Sequence, residues 1–274
     1  MLDPEKTWIP RLGSRLREVV ETSRRKSLGT QAAALTYYGF VSLFPLVLLL
    51  LVAGSLTGLE TVAIAAIESV SVYLSESGRR TLRQSVEVET SPTVGLIGLV
   101  GLLWGSLKFV RGLTESFRVL YEDYSRKTTH KSVLRTTRDS AAALFSVIAA
   151  VVTAAALRWL TRVLDVPDTG IALIGVLGLF FVFLPLYYFL PPVDVSLRHV
   201  YPGAVFASAG WTFLETAFGF YIDLASSSPS GYAAYGAVGV VLVFLTWLYL
   251  SFWVILLGGA VNLTLTLGRT QTKD

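Results

Sequence analysis

The stretch SLGTQAAALTYYGFVSLFPLVLLLLVAGSLTGL, residues 27–59, contains no Asp, Glu, Lys or Arg, and every position from Leu46 to Val52 is apolar. A helix that crosses a bilayer needs about 20 mostly apolar residues, and this run exceeds that length. A membrane-spanning strand would instead alternate apolar and polar residues. Neither Leu46–Val52 nor Val176–Leu186 alternates. The run also exceeds the apolar region of a cleavable signal peptide, so it reads as a retained first span.

Working outward, charge-free runs recur at 90–107, 140–157, 169–193, 199–214 and 224–268. The fifth reaches spanning length if it continues through Glu215 to Ile222. The last is shortened by the turn-like residues 226–232. Helices are therefore expected at about 30–56, 91–108, 140–158, 169–190, 201–222 and 233–264. The expected fold is an all-α integral membrane protein with six transmembrane helices and amphipathic interfacial helices. Composition agrees: 53% of the 274 residues are hydrophobic and 15% charged. A soluble domain carries about 25% charged residues.

Basic residues set the orientation. Seven lie in residues 1–26, eight between Lys108 and Arg138, and three more at Arg198, Arg269 and Lys273, a total of 18. The other side holds five: Arg79, Arg80, Arg83, Arg158 and Arg162. Both termini are expected in the cytoplasm of a multi-pass inner-membrane protein.

Three segments follow: a basic amphipathic segment at 1–26, the six-helix domain at 27–268 and a short cytoplasmic tail at 269–274. In the first, Trp8, Ile9, Leu12, Leu16, Val19 and Val20 recur at helical spacing. Such a helix lies on the inner membrane surface and suits anionic lipid. Residues 60–90 form an outer connection with an apolar stripe. Phe109, Val110, Leu113, Phe117, Leu120 and Tyr121 carry the second helix beyond the membrane. The basic run 126–138 is accounted for by orientation, so no nucleic-acid partner is expected. Trp104, Trp247, Tyr187 and Tyr188 read as interface anchors.

Enzyme chemistry lacks a constellation. Cysteine is absent and histidine occurs only at His130 and His199. No HExxH, P-loop, GxSxG or GxGxxG motif is present. No catalytic residue, metal or cofactor is expected.

The features that stand out lie inside the apolar runs. Pro45 and Pro185 remove backbone hydrogen bonds, and Pro191 with Pro192 ends the fourth helix. Opened backbone of this kind lines polar cavities in transporters. Gly101 with Gly105, and Gly203, Gly236 and Gly239, permit close helix contact. Glu215, beside Trp211 and Thr212, is a carboxylate between apolar stretches. It is expected to face the bundle interior or a wet cavity, or to be protonated. Tyr37, Tyr38, Ser42, Tyr235 and Asn262 complete the candidate substrate or proton site.

Ala32-Ala33-Ala34-Leu35-Thr36-Tyr37-Tyr38, followed by Ser42-Leu43-Phe44-Pro45, resembles the opening signature of the YihY/BrkB family. Leu190-Pro191 with Tyr201-Pro202-Gly203-Ala204 resembles its middle signature. Tyr235-Gly236-Ala237-Val238-Gly239, Trp247-Leu248-Tyr249-Leu250 and Gly258-Gly259-Ala260-Val261-Asn262 resemble its closing one. The resemblance covers about residues 25–265. It implies a six-helix inner-membrane protein, for which lipid or amphiphile transport has been suggested and an older ribonuclease label is regarded as mistaken. Two departures stand out: Val261 replaces a usual acid, and Arg118 stands near a frequent Asn. The expected function is transport of a lipid or other amphiphile with Glu215 as a proton or polar-group site. A structural or partner-binding envelope protein is the alternative, and a membrane-bound nuclease has the least support.

Overall fold

A computed structural model describes residues 8–57, 92–125, 168–227 and 236–267. They form seven α-helices: α1 (Trp8–Arg25), α2 (Leu28–Thr57), α3 (Pro92–Leu120), α4 (Glu122–Ser125), α5 (Asp168–Phe189), α6 (Leu197–Ser227) and α7 (Gly236–Asn262). A π-helical turn, Leu263–Leu267, extends α7. No strand occurs among the described residues. The helix expected at 140–158, the outer connection 60–90, the basic run 126–138 and the tail 269–274 lie outside them.

Three long helices, α2, α5 and α7, are apolar nearly all round, which is the pattern of a membrane interior rather than of a soluble surface. Within the described residues, Val241–Leu265 is long and apolar enough to cross a membrane, with mean hydropathy 2.2. Gly175–Phe189 is a shorter apolar helix. Helix α2 runs through Pro45 without a break. Pro45 removes the amide that would bond the Val41 carbonyl. The nearby Ser42 hydroxyl does not take its place, because it donates to Gly39 O at 2.8 Å. That places it one turn back on its own helix.

The described residues cluster into two compact units. One draws on Met1–Ala32, Leu113–Glu215 and Ser251–Asp274, the other on Ala33–Gly112 and Thr216–Leu250.

In the first unit, α1 buries Val19, Thr22 and Ser23. Val20, expected on the apolar face, is 52% exposed. The helix stops because Ser27 adopts a left-handed conformation, φ 51°. Only glycine takes that region without strain, so the corner needs local support. Gln31 Nε2 supplies it by donating to the Lys26 carbonyl at 2.7 Å. Lys26, with its side chain nearly enclosed, reaches Asp123 at 3.1 Å and Glu122 at 3.7 Å. Arg25 adds a contact to Asp123 at 3.4 Å. The acidic partners are half exposed, so each pair contributes under about 1 kcal/mol. Arg15 Nη1 donates to Leu265 O at 3.4 Å. Helix α1 is thus held to the π-turn as well as to α4.

In the second unit, α2 and α3 approach closely where Gly105 faces Ser42. A Cβ on Gly105 would stand 3.1 Å from Ser42 Cβ. One on Gly112 would meet Leu35 at 3.3 Å and Tyr38 at 3.4 Å. Phe40 packs against Phe244 of α7, ring centres 6.3 Å apart.

Candidate functional site

The first unit is organised around one crossing of α6 over α7. A Cβ on Gly203 would collide with the Gly258 carbonyl and with the Asn262 amide. A Cβ on Gly258 would collide with the Tyr187 hydroxyl and lie 2.8 Å from Gly203 O. Only glycine permits backbones this close. Pro202, just before the crossing, cannot donate to the turn behind it. The next amide, Gly203, donates to Asn262 Oδ1 at 2.6 Å. Tyr187 of α5 donates to Ile255 O at 2.7 Å.

On the other side of α7, Gly259 meets Leu120 and Phe117 of α3. A Cβ there would come within 2.8 Å of Leu120 Cδ2. The buried Tyr121 hydroxyl donates to Gly259 O at 3.4 Å. Tyr187 was expected as an interface anchor but is fully buried. Its hydroxyl is held by a backbone carbonyl rather than by water or head groups. The pair Gly258-Gly259 next to Asn262 was the sequence signal for this crossing. What it lacked was the partner, which lies 59 residues away in the chain.

From the crossing, one stripe of α6 runs Ala204, Ser208, Trp211, Glu215, at the i, i+4, i+7, i+11 spacing of a single helical face. Ala204 and Ser208 are buried. Trp211 is half-buried and packs on Phe183 of α5, ring centres 5.8 Å apart. Glu215 is exposed. The face that packs tightly at its start therefore opens one turn after Trp211. Glu215, expected to face the bundle interior or a wet cavity or to be protonated, is exposed at the end of this stripe. Ser208 Oγ donates to Ala204 O at 2.7 Å, and Thr212 Oγ1 to Ser208 O at 3.0 Å. Both hydroxyl protons are held by the helix, which leaves their oxygens as acceptors.

The remaining candidates divide between the units. Asn262 sits at the crossing, about 12 Å along α6 from Trp211. Tyr37, Tyr38 and Ser42 belong to the second unit. There Tyr37 is 63% exposed and Tyr38 half-buried, with the rings edge to face at 5.6 Å. Tyr235 lies outside the described residues. Gly105 is a packing position, and Pro191 is fully buried where α5 ends. Helix α5 continues through Pro185. Gly101 and Gly239 are half-buried, and Gly236 starts α7. Among the described residues, no group of three or more His, Cys, Asp or Glu could hold a metal.

The chain matches the model of a family described as virulence factor BrkB over residues 19–274. It is 27% identical over 248 residues to the ribonuclease-like protein YfkH of Bacillus subtilis, covering 85% of this chain and 88% of that one. A UPF0761 membrane protein of Actinobacillus pleuropneumoniae is 25% identical over 195 residues, covering 68% of each chain. Another from Psychrobacter is 26% identical over 263 residues, 88% of this chain but 46% of its own length. No solved structure matches the chain.

Proposed function

This chain belongs to the virulence factor BrkB family of membrane proteins, and from that premise we propose that it moves a lipid or other amphiphile across the cytoplasmic membrane. Six helices cross the bilayer in this reading, with both termini in the cytoplasm. The excess of basic residues on one side, 18 against five, supports that orientation.

One observation carries the proposal. The packed stripe of α6 opens at Glu215, so a carboxylate stands accessible on a face otherwise built for helix contact. It lies about 27 Å along the helix from Leu197, against a hydrocarbon core about 30 Å thick. With Leu197 at the cytoplasmic side, that depth is near the outer head groups. A carboxylate there meets a polar head group while its flanks, Phe213 and Phe220, stay exposed to acyl chains. Glu215 is the polar contact or proton site, with Trp211 and Thr212 beside it.

The test is lipid movement in sealed proteoliposomes, with fluorescent lipids and with or without a pH gradient. Movement faster than in empty vesicles, lost in Glu215→Gln, is the expected result. Equal rates in wild type and Glu215→Gln would remove Glu215 from the mechanism. No movement of any lipid by folded protein, with a stoichiometric partner recovered in mild detergent, would favour a structural role. YfkH bears a ribonuclease-like name. Metal-dependent RNA cleavage by this purified protein would replace the transport reading.

A further inference from the structure

We infer that α3 carries a binding site for one anionic phospholipid where it leaves the bilayer, with Lys108 and Arg111 on the phosphate and Trp104 beside them. Its side of the membrane is the cytoplasmic one of the orientation proposed above, and lipid movement is not required for it.

The site lies where the apolar sequence stops. Residues 90–107 contain no charge, and Lys108 and Arg111 are the first two charges after them. From Pro92 to Lys108 the helix rises about 24 Å, most of a hydrocarbon core about 30 Å thick. A lysine stem covers the remaining distance to the head groups.

One side of α3 is committed to α2. There a Cβ on Gly105 would meet Ser42, and one on Gly112 would meet Leu35 and Tyr38. Another side carries Leu96, Val100, Trp104 and Leu107, all exposed, and then the exposed Arg111. Steps of four and three residues keep these five on one helical face. Between Leu107 and Arg111 that face changes from acyl-chain surface to cation.

Lys108 stands at the edge of the stripe, half-buried, with its ammonium over the Trp104 ring at 5.6 Å from the centroid. The cation–π contact holds a flexible side chain at the level of an indole, a ring that favours the membrane interface. Arg111 follows three residues on, the spacing at which side chains of one helix meet. A phosphodiester between them receives a point charge from Lys108 and a fork of N–H donors from Arg111. Glu115, one turn beyond Arg111, is engaged by Arg118 through Nε at 2.8 Å and Nη2 at 2.6 Å.

Charge complementarity selects the occupant. Two cations on one phosphate leave a positive charge over. That suits a head group with net negative charge and opposes one that brings its own ammonium. Val100 and Leu107 continue the face as apolar surface for an acyl chain, which a free phosphate ion does not use.

The experiment measures lipid retained by the purified protein in detergent, where membrane sidedness plays no part, by native mass spectrometry. Phosphatidylglycerol is expected to bind about tenfold tighter than phosphatidylcholine of the same acyl composition, the gain that two cations give beside an anionic head. The double variant Lys108→Gln, Arg111→Gln should lose that preference. Arg17→Gln with Arg24→Gln removes two exposed charges from α1 and should keep it. Trp104→Leu should weaken phosphatidylglycerol binding about threefold. All variants are checked for wild-type elution. A photoactivatable phosphatidylglycerol on the wild-type protein decides without them, with adducts expected on residues 104–111.

Equal binding of the two lipids, or a preference that survives Lys108→Gln, Arg111→Gln, would overturn the site. A preference lost with the α1 charges instead, or adducts confined to α1, would overturn it and move the anionic lipid to that helix. Displacement of the lipid by an equal concentration of glycerol 3-phosphate would overturn a lipid as the occupant. None of these results bears on Glu215, so lipid movement stands or falls on its own assay.

Discussion

The two halves of α6 are built on opposite principles. From Leu197 to Leu214 one face of the helix packs against α7 and α5, with Gly203, Ala204, Ala207 and Ser208 buried. From Glu215 to Ser227 the buried face is missing among the described residues, with Phe220 70% exposed and Tyr221 50% exposed. The first half carries the residues of the family-like pattern. The second carries the carboxylate. Recurrent motif residues here make helix contacts, and the chemistry sits where the contacts stop.

Two glycines on this one helix give the sharpest contrast. Gly203 has no room for a Cβ, whereas Gly219 has nothing within 4 Å. Gly203→Val should abolish folded protein, and Gly203→Ala should lower stability by about 1–3 kcal/mol, since backbone and not a flexible side chain must yield. Gly219→Ala should instead stabilise the helix by about 0.5–1 kcal/mol. Thermal unfolding in detergent reads both. A similar loss at both positions would break the comparison.

Next in size is Asn262→Ala, which leaves the buried Gly203 amide without its acceptor. A loss of about 1–3 kcal/mol is expected. Tyr187→Phe removes one donor to Ile255 O but leaves a carbonyl with a second lone pair, so about 1 kcal/mol or less is expected. Lys26→Met breaks the contacts to Glu122 and Asp123 at the α1–α2 corner. Its cost should stay below about 1 kcal/mol and shrink further at high salt. Glu215→Gln should move stability by no more than about 0.5 kcal/mol, as for a surface change.

Much of the helical scaffold was legible because an apolar run announces a helix regardless of face. The run 27–59 became Leu28–Thr57, and the run 169–193 became Asp168–Phe189. The extension of the second helix was legible too, from Phe109, Leu113, Phe117 and Leu120 at helical spacing. Which glycine meets which was not. Hydropathy is blind to pairing, and Gly203 finds Gly258 through a crossing that no local pattern encodes. Tyr187 was misread for the same reason: a tyrosine near a helix end suits both a membrane interface and a buried bond to a carbonyl. Glu215 was singled out by type, but its exposure depends on where α5 and α7 cease to cover α6.

The most direct test of that boundary uses the absence of cysteine in this chain. Single cysteines at 204, 208, 211 and 215 would be challenged with a membrane-impermeant maleimide in sealed vesicles of right-side-out orientation. Labelling of Glu215→Cys, with Ala204→Cys and Ser208→Cys protected, is the predicted result. Protection at 215, or labelling at 204 and 208 as fast as at 215, would contradict it.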